Sequence, residues 1–518
     1  MHKKLFAIFF LALPLMLYAE DALEEQRIIT IIDGEHDYDL NPHTAAFTSE
    51  AQILSGLYEG LFSYDPVTLD PLPALCKSYK ISRDKKRWTF TLIDEAKFSD
   101  GSPITSQTLV NSWLTLLSTP NAPFASLLDC IKGANEYRMG LCNKEDVRIE
   151  ARDEKTLVVH LTQSTEHLAH ILCHHAFSAV SSSGNPKENV FSGAFILKER
   201  TPNSLYLEKN TEYHDKDSVM IPGIKVIQSD DKEENAYLFN TGNADWITGG
   251  AEASQILNDN ALHISAEFGT TFLFFKIGNK PWDNKEFRTA LLEAIPYDEL
   301  RKNYSIPAHS LVYPLAGYPD VNGINDYDID DAKELMEEAR KNANISDEEI
   351  VIVIACTEDE YMREWAELLK KAWEKLNVTV YIQTTPSYRY NSSIPNWNAD
   401  VFSYSWIGDF ADPLAFLELF RSGSTLNVAN YSNKEFDSLL TEASETNSSS
   451  EHLKILSKAE QLLLDDSMII PISHPITMHI IDTTSLGGWQ TNALDLHPLK
   501  YLYLKKQIKR LPNVVLVN

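Results

Sequence analysis

Short runs in which apolar side chains alternate with polar ones, or β-branched residues cluster, recur along the chain. They are Arg27 to Ile32, Arg87 to Leu92, Thr156 to Leu161, Ile350 to Ala355 and Val378 to Gln383. A period of two is the pattern of a half-buried strand, so each run predicts one. Trp88, Phe90 and Leu92 fall on one side of such a strand. Two stretches carry helical spacing instead. Asp330 to Lys341 begins acidic and ends with Arg340 and Lys341, which suits the helix dipole. Tyr361 to Leu376 sets Trp365, Leu368, Leu369, Ala372 and Leu376 along one face. Strand 350–355, helix 361–376 and strand 378–383 together predict a βαβ unit with parallel strands and a right-handed crossover. The front half is richer in turn signals, such as Ser99-Asp100-Gly101 and Pro202-Asn203-Ser204, and reads as mixed α+β.

The first residues follow a different rule. Lys3 and Lys4 precede an apolar stretch from Leu5 to Tyr18, and Ala19 stands before Glu20 and Asp21. This is the order of a secretory signal peptide, expected over 1–19. The stretch is shorter than the roughly 20 residues a membrane-spanning helix needs. A buried or membrane-anchoring first helix is the alternative. No later stretch reaches the length of a span, so the mature chain is expected to be exported, with no direct membrane anchor.

At 518 residues the chain is long enough for roughly three to four domains of about 150 residues. Hydrophobic residues make up 43% and charged residues 23%, which excludes whole-chain disorder and collagen. Asp and Glu number 74 against 46 Lys and Arg, a formal net charge of -28. Nucleic-acid affinity comes largely from neutralising phosphates, so so acidic a chain is not expected to bind DNA or RNA. Cysteines stand at 76, 130, 142, 173 and 356, an odd number with no CxxC. A Cys130–Cys142 disulfide and scattered buried thiols are both open.

Enzyme signatures are missing. The sequence has no GxG pair for a dinucleotide, no GxxxxGK[ST] phosphate loop, no GxSxG elbow and no HExxH. One cluster offers metal ligands: His167, His170 and His174 would share a face on a helix, with Cys173 beside them. The bland reading is a helix whose histidines bond locally.

Several segments carry a resemblance. Leu40-Asn-Pro-His43 precedes Leu57-Tyr-Glu-Gly-Leu61, then Trp88-Thr-Phe-Thr-Leu92, Lys97-Phe-Ser-Asp-Gly-Ser-Pro-Ile-Thr105 and Val110-Asn-Ser-Trp113. Later come Ser192-Gly-Ala-Phe195, Leu207-Glu-Lys-Asn-Thr-Glu-Tyr213, Gly242-Asn-Ala-Asp245, Arg288-Thr-Ala-Leu291 and Tyr404-Ser-Trp-Ile-Gly-Asp-Phe410. Their order and spacing resemble the periplasmic oligopeptide/dipeptide-binding proteins of ABC transporters, solute-binding family 5, over nearly the whole chain after the signal. The resemblance implies an α/β fold: a bilobal clamshell of periplasmic-binding-protein type II with a third, extra α+β domain. Lobe I would be discontinuous, 20–58, 183–268 and 483–518, with the extra domain at 59–182 and lobe II at 269–482. Strands crossing near 268 and 482 would form the hinge.

The implied role is a periplasmic, monomeric receptor, not an enzyme and without a cofactor. It would capture short peptides with a free N-terminus and deliver them to the membrane permease of an ABC importer. By the same resemblance Asp409, in Trp406-Ile-Gly-Asp409, would hold the peptide ammonium. Trp406, Tyr404, Ile407, Gly408 and Phe124 would line the site. The stretch Thr44 to Thr48, with Ala45, Ala46, Phe47 and Thr48 as its contact residues, would pair with the peptide backbone like an added strand. Ala46 stands where the family has an acidic residue, and Phe124 where it often has a Tyr. Arg389 and Arg421 are the nearby candidates for the peptide C-terminus. A metal-chelate or sugar receptor on the same fold, and an exported hydrolase, are the alternative functions.

Overall fold

The predicted first strand forms over Ile29–Asp33 and becomes the centre of a seven-stranded sheet. The computed structural model describes residues 27–165, 167–181, 190–346, 348–408, 410, 412–446 and 448–505, so the expected signal peptide lies outside the described residues. Ile29–Asp33 runs parallel to Gly223–Gln228 on one side and to Trp246–Ile247 on the other. The sheet is completed outward by Ser204–Lys209 and Phe195–Thr201, and on the far edge by Ile476–Ile481 and Leu262–Ala266. Ile29, Ile31, Val226 and Trp246 fill the core on one face. Ile32, Ile247 and Ile480 fill it on the other.

A second sheet has five strands in the order Val378–Thr385, Ile350–Thr357, Val401–Ile407, Gly269–Phe275 and Ile469–Ser473. Its first two strands are the predicted βαβ pair, parallel from Ile350 opposite Val378 to Thr357 opposite Thr385. The connecting helix runs Glu360–Trp373 and tightens into a 3₁₀ turn at Glu374–Leu376. Asn377, left-handed at φ 57°, then turns the chain directly into the next strand. Trp365, Leu369, Ala372 and Trp373 are buried, so the amphipathic face packs as its spacing predicts.

The third sheet is antiparallel, in the order Cys76–Ile81, Arg87–Leu92, Thr156–His160 and Ile149–Asp153. Trp88, Phe90 and Leu92 are buried together, as alternation requires. The helix Ser106–Ser118 belongs to this body; Thr105 caps it, its side chain accepting the Thr108 N–H. Trp113, fully buried, donates its indole N–H to the Phe177 carbonyl at 2.9 Å. One apolar cluster runs from this third body into the five-stranded one.

The chain crosses between the first two sheets twice. Leu262–Ala266 ends in the first sheet and Gly269–Phe275 begins in the second, so one crossing is 267–268. The return differs from the expected position near 482. Ile476–Ile481 pairs with Leu262–Ala266 and Trp246–Ile247, with Ile480 and Ile481 buried in the first core, so the return falls at 474–475. The crossings touch: the Glu267 N–H donates to the Pro475 carbonyl at 3.0 Å.

All five cysteines are free thiols, so the Cys130–Cys142 bridge is not formed. No helix among the described residues is long and apolar enough to cross a membrane.

Candidate functional site

Residues from four separate parts of the chain converge where the third body meets the five-stranded sheet. Trp406 and Tyr404 project from one face of the strand Val401–Ile407, their rings stacked at 5.9 Å and 20°. The Trp406 indole N–H donates to the Ala415 carbonyl at 2.9 Å, which fixes the ring. Its neighbour across the boundary is Phe124, 6.4 Å between centroids. Phe124 in turn lies 4.1 Å from His174 and 6.0 Å from His175. His175 meets the backbone of Ala45. Ala45, Phe124, Tyr404 and Trp406 are thus linked by one aromatic chain.

Burial disfavours the charged form of the imidazoles beside this aromatic chain. It holds His43 down to about 4 and His175 down to about 3, and pushes His174 far below the usual histidine range.

Thr44 to Thr48, expected to pair with the peptide backbone, is not a strand in the free chain. A turn at 42–44 is followed by irregular backbone at Ala45 and Ala46 and a bend at Phe47 that lead into the helix Thr48–Leu57. Glu50, almost wholly buried, accepts the N–H groups of Asp39 at 2.6 Å, Ala46 at 3.0 Å and Phe47 at 3.2 Å. Burial raises its carboxyl while those three donors pull it down. The Ala46 and Phe47 donors are therefore already engaged. Their side chains, with Phe47 37% exposed, face solvent. The signal for Glu50 lay in the sequence, a Glu at the third helical position reaching back to the helix start. No comparable signal marked His174 and His175 as the rings that pack on Phe124.

Gly408 is needed for close approach. Its N–H donates to the Phe268 carbonyl at 2.8 Å, and a Cβ there would stand 2.7 Å from the Phe268 ring. Ile407 is half-buried beside it. Asp409 lies outside the described residues. Phe410 beyond it is buried and stacks on His167 at 5.3 Å and 14°. Asp412 accepts the Leu414 N–H at 2.9 Å and pairs with His452 at 2.9 Å. Arg421 is committed to Glu418 through two bonds of 2.7 and 2.8 Å, and Arg389 is exposed on the helix Ser387–Ser393. A cavity of about 420 Å³ separates the third body from this segment, walled by Asp129, His167, Phe410, Glu418 and Arg421 among others.

The histidine cluster is not assembled. The helix carrying His170 is only Leu168–Ile171, and His174 sits past its end with extended backbone, against Phe124. Among the described residues, the group close enough to hold a metal is His479, Asp495 and His497. Its hydrogen bonds argue otherwise. Trp246 donates its N–H to His479 Nδ1 at 3.1 Å, which assigns the ring proton to Nε2, 2.6 Å from the Asp495 carboxylate. A metal on Nε2 would demand an imidazolate. Against the upward push of burial, the bonds from His479 and His497 hold Asp495 at about 2, as in a hydrogen-bonded strut.

Comparison with known proteins gives this geometry a family. Residues 70–427, more than half of the chain, match the model for bacterial extracellular solute-binding proteins, family 5. The chain belongs to that family. It is 27% identical to the dipeptide-binding protein DppE of Bacillus subtilis over 480 residues, covering 88% of this chain and 87% of that one. It is 27% identical to the oligopeptide-binding protein OppA of the same organism over 466 residues, 84% and 85% of the two chains. A periplasmic oligopeptide-binding protein of Borrelia burgdorferi, OppAIV, superposes with a TM-score of 0.80 at 26% identity, over 92% of this chain and 100% of that one. The fold is the bilobal solute-receptor fold with its extra domain.

Proposed function

We propose that the protein captures short peptides between its lobes and delivers them to the membrane permease of an ABC importer. Among the described residues the first lobe comprises 27–58, 190–268 and 476–505. The second lobe is 269–475, and the extra domain, a separate body, is 59–182. The signal peptide over 1–19 directs export to the periplasm.

The observation that carries this reading is the convergence of Ala45, Phe124 and Trp406 on one aromatic chain. Relatives named for dipeptide and oligopeptide binding support it. An ammonium held in such a wall needs a carboxylate. Glu50 is occupied by three backbone donors, Glu59 by Tyr213 and Lys500, and Asp412 by His452 and the Leu414 N–H. The family resemblance of Trp406-Ile-Gly-Asp409 gives that role to Asp409, and we propose it on that ground. A charge-assisted bond to the ammonium is stronger than a neutral one, and leaving either charge buried alone costs on the order of 3–5 kcal/mol. Free N-termini are selected by that cost.

Mass spectrometry of ligand released from protein purified without refolding tests the reading. Short peptides are expected. A metal chelate or a sugar in their place would overturn it.

A further inference from the structure

Apart from the aromatic chain, the loop at 421–425 grips the extra domain. The Thr425 hydroxyl accepts the Ser126 N–H at 3.2 Å and stands 2.7 Å from the Pro123 carbonyl and 2.8 Å from the Ser126 hydroxyl. The Ser424 hydroxyl is 3.1 Å from the same Ser126 oxygen. Arg138 donates to the Gly423 carbonyl at 3.0 Å.

Each side of this contact is braced within its own body. Arg138 is held by two bonds to Asp129, of 3.1 and 2.5 Å. On the loop side, Arg421 is clamped by Glu418, and the Ser422 N–H donates to Asp437 at 3.0 Å. Asn427 closes the loop, donating to the Arg421 carbonyl at 3.0 Å and the Tyr431 carbonyl at 2.8 Å. Gly423, at φ +77°, makes the turn that presents its carbonyl to Arg138. At the loop itself the joined groups are hydroxyls, carbonyls and one guanidinium, all of which water satisfies when the bodies part; the apolar contact of Phe124 with Trp406 lies beside them. Such bonds contribute little net stability each, so they can form and break as the lobes move. None of the groups belongs to the proposed ammonium site.

We propose that loop 421–425 and the segment 123–138 form a latch between the second lobe and the extra domain, with Thr425 and Arg138 as positioning residues that hold the receptor shut and set how long a ligand stays. The latch closes the two bodies on either side of the 420 Å³ cavity, which has walls from both.

Small-angle X-ray scattering of the ligand-free full chain tests this independently of what the ligand is. Wild type is expected to scatter as a compact particle. Thr425→Val is expected to increase the radius of gyration while keeping the thermal midpoint, Arg138→Ala to increase it with a lower midpoint because Asp129 loses its partner, and Thr425→Ser, which retains the hydroxyl, to restore compactness. With free-amino trialanine as probe, dissociation from Thr425→Val should be faster, on the order of tenfold. Folded Thr425→Val and Arg138→Ala variants that scatter like wild type, or a wild type already expanded, would overturn the latch. Failure of trialanine to bind would count against the peptide reading alone, since the scattering result stands without it.

Discussion

Trp406 and Phe124 face each other across the boundary between two separately built bodies, 6.4 Å between ring centroids. Each is fixed from its own side, Trp406 by the Ala415 carbonyl and Phe124 by the ring of His174. Trp406→Phe keeps an aromatic in place but strands that carbonyl. We expect a loss of about 1 kcal/mol in urea denaturation, against roughly 3–5 kcal/mol for Trp406→Ala. Equal losses would mean the indole bond is idle.

Glu50 organises the turn at 39–47 with a single carboxylate. In Glu50→Gln one of the two acceptor oxygens becomes a donor facing other donors. A cost of about 1–3 kcal/mol is expected, with faster hydrogen exchange at the Ala46 and Phe47 amides. Unchanged exchange at those two amides would show the turn held by something else.

The crossing strands carry a pH dependence. Burial, and then the charge of Asp495, raises Glu267 from an ordinary 4.5 to about 7. Between those values the folded state binds a proton that the unfolded state has released, so stability falls as pH rises through this window. Glu267→Gln should flatten the fall, by on the order of 3 kcal/mol at most. His43 and His175 act in the opposite sense. They are lowered to about 4 and about 3, so their contribution is lost as pH falls below 6.5. Thermal midpoints of wild type and Glu267→Gln at about pH 5 and about pH 8 check the sign. A wild type no less stable at the higher pH, relative to the variant, would refute it.

Thiol chemistry distinguishes bridged from free cysteines. Burial pushes Cys76 and Cys356 up to about 11 and Cys130 to about 12, and the thiolate is the reactive form. We expect slow alkylation of the native protein at neutral pH and five thiols after unfolding without reductant. Two fewer would mark a disulfide.

The βαβ unit from Ile350 to Thr385 was readable because everything that makes it is local: two apolar runs, one amphipathic face and an Asn between them. The seven-stranded sheet was not. Trp246–Ile247 is two residues long, Ile264 is exposed, and Leu262–Ala266 pairs with a strand more than two hundred residues later. No local pattern encodes such a pairing, and it moved the return crossing from 482 to 474–475. At the site, Ala45, Phe124 and Trp406 came from family resemblance, since an alanine and two aromatics carry no chemical signal alone. His167, His170 and His174 show the converse. Their spacing fits a helical face, but the chain turns extended at His174 and breaks the register.

The ammonium anchor is the central claim, and isothermal calorimetry with one peptide in two forms tests it most directly. A tripeptide with a free amino terminus is expected to bind, and its N-acetylated form to bind about a hundredfold more weakly or not at all, with Asp409→Asn abolishing the preference. Equal affinity for the free and acetylated peptides would contradict it.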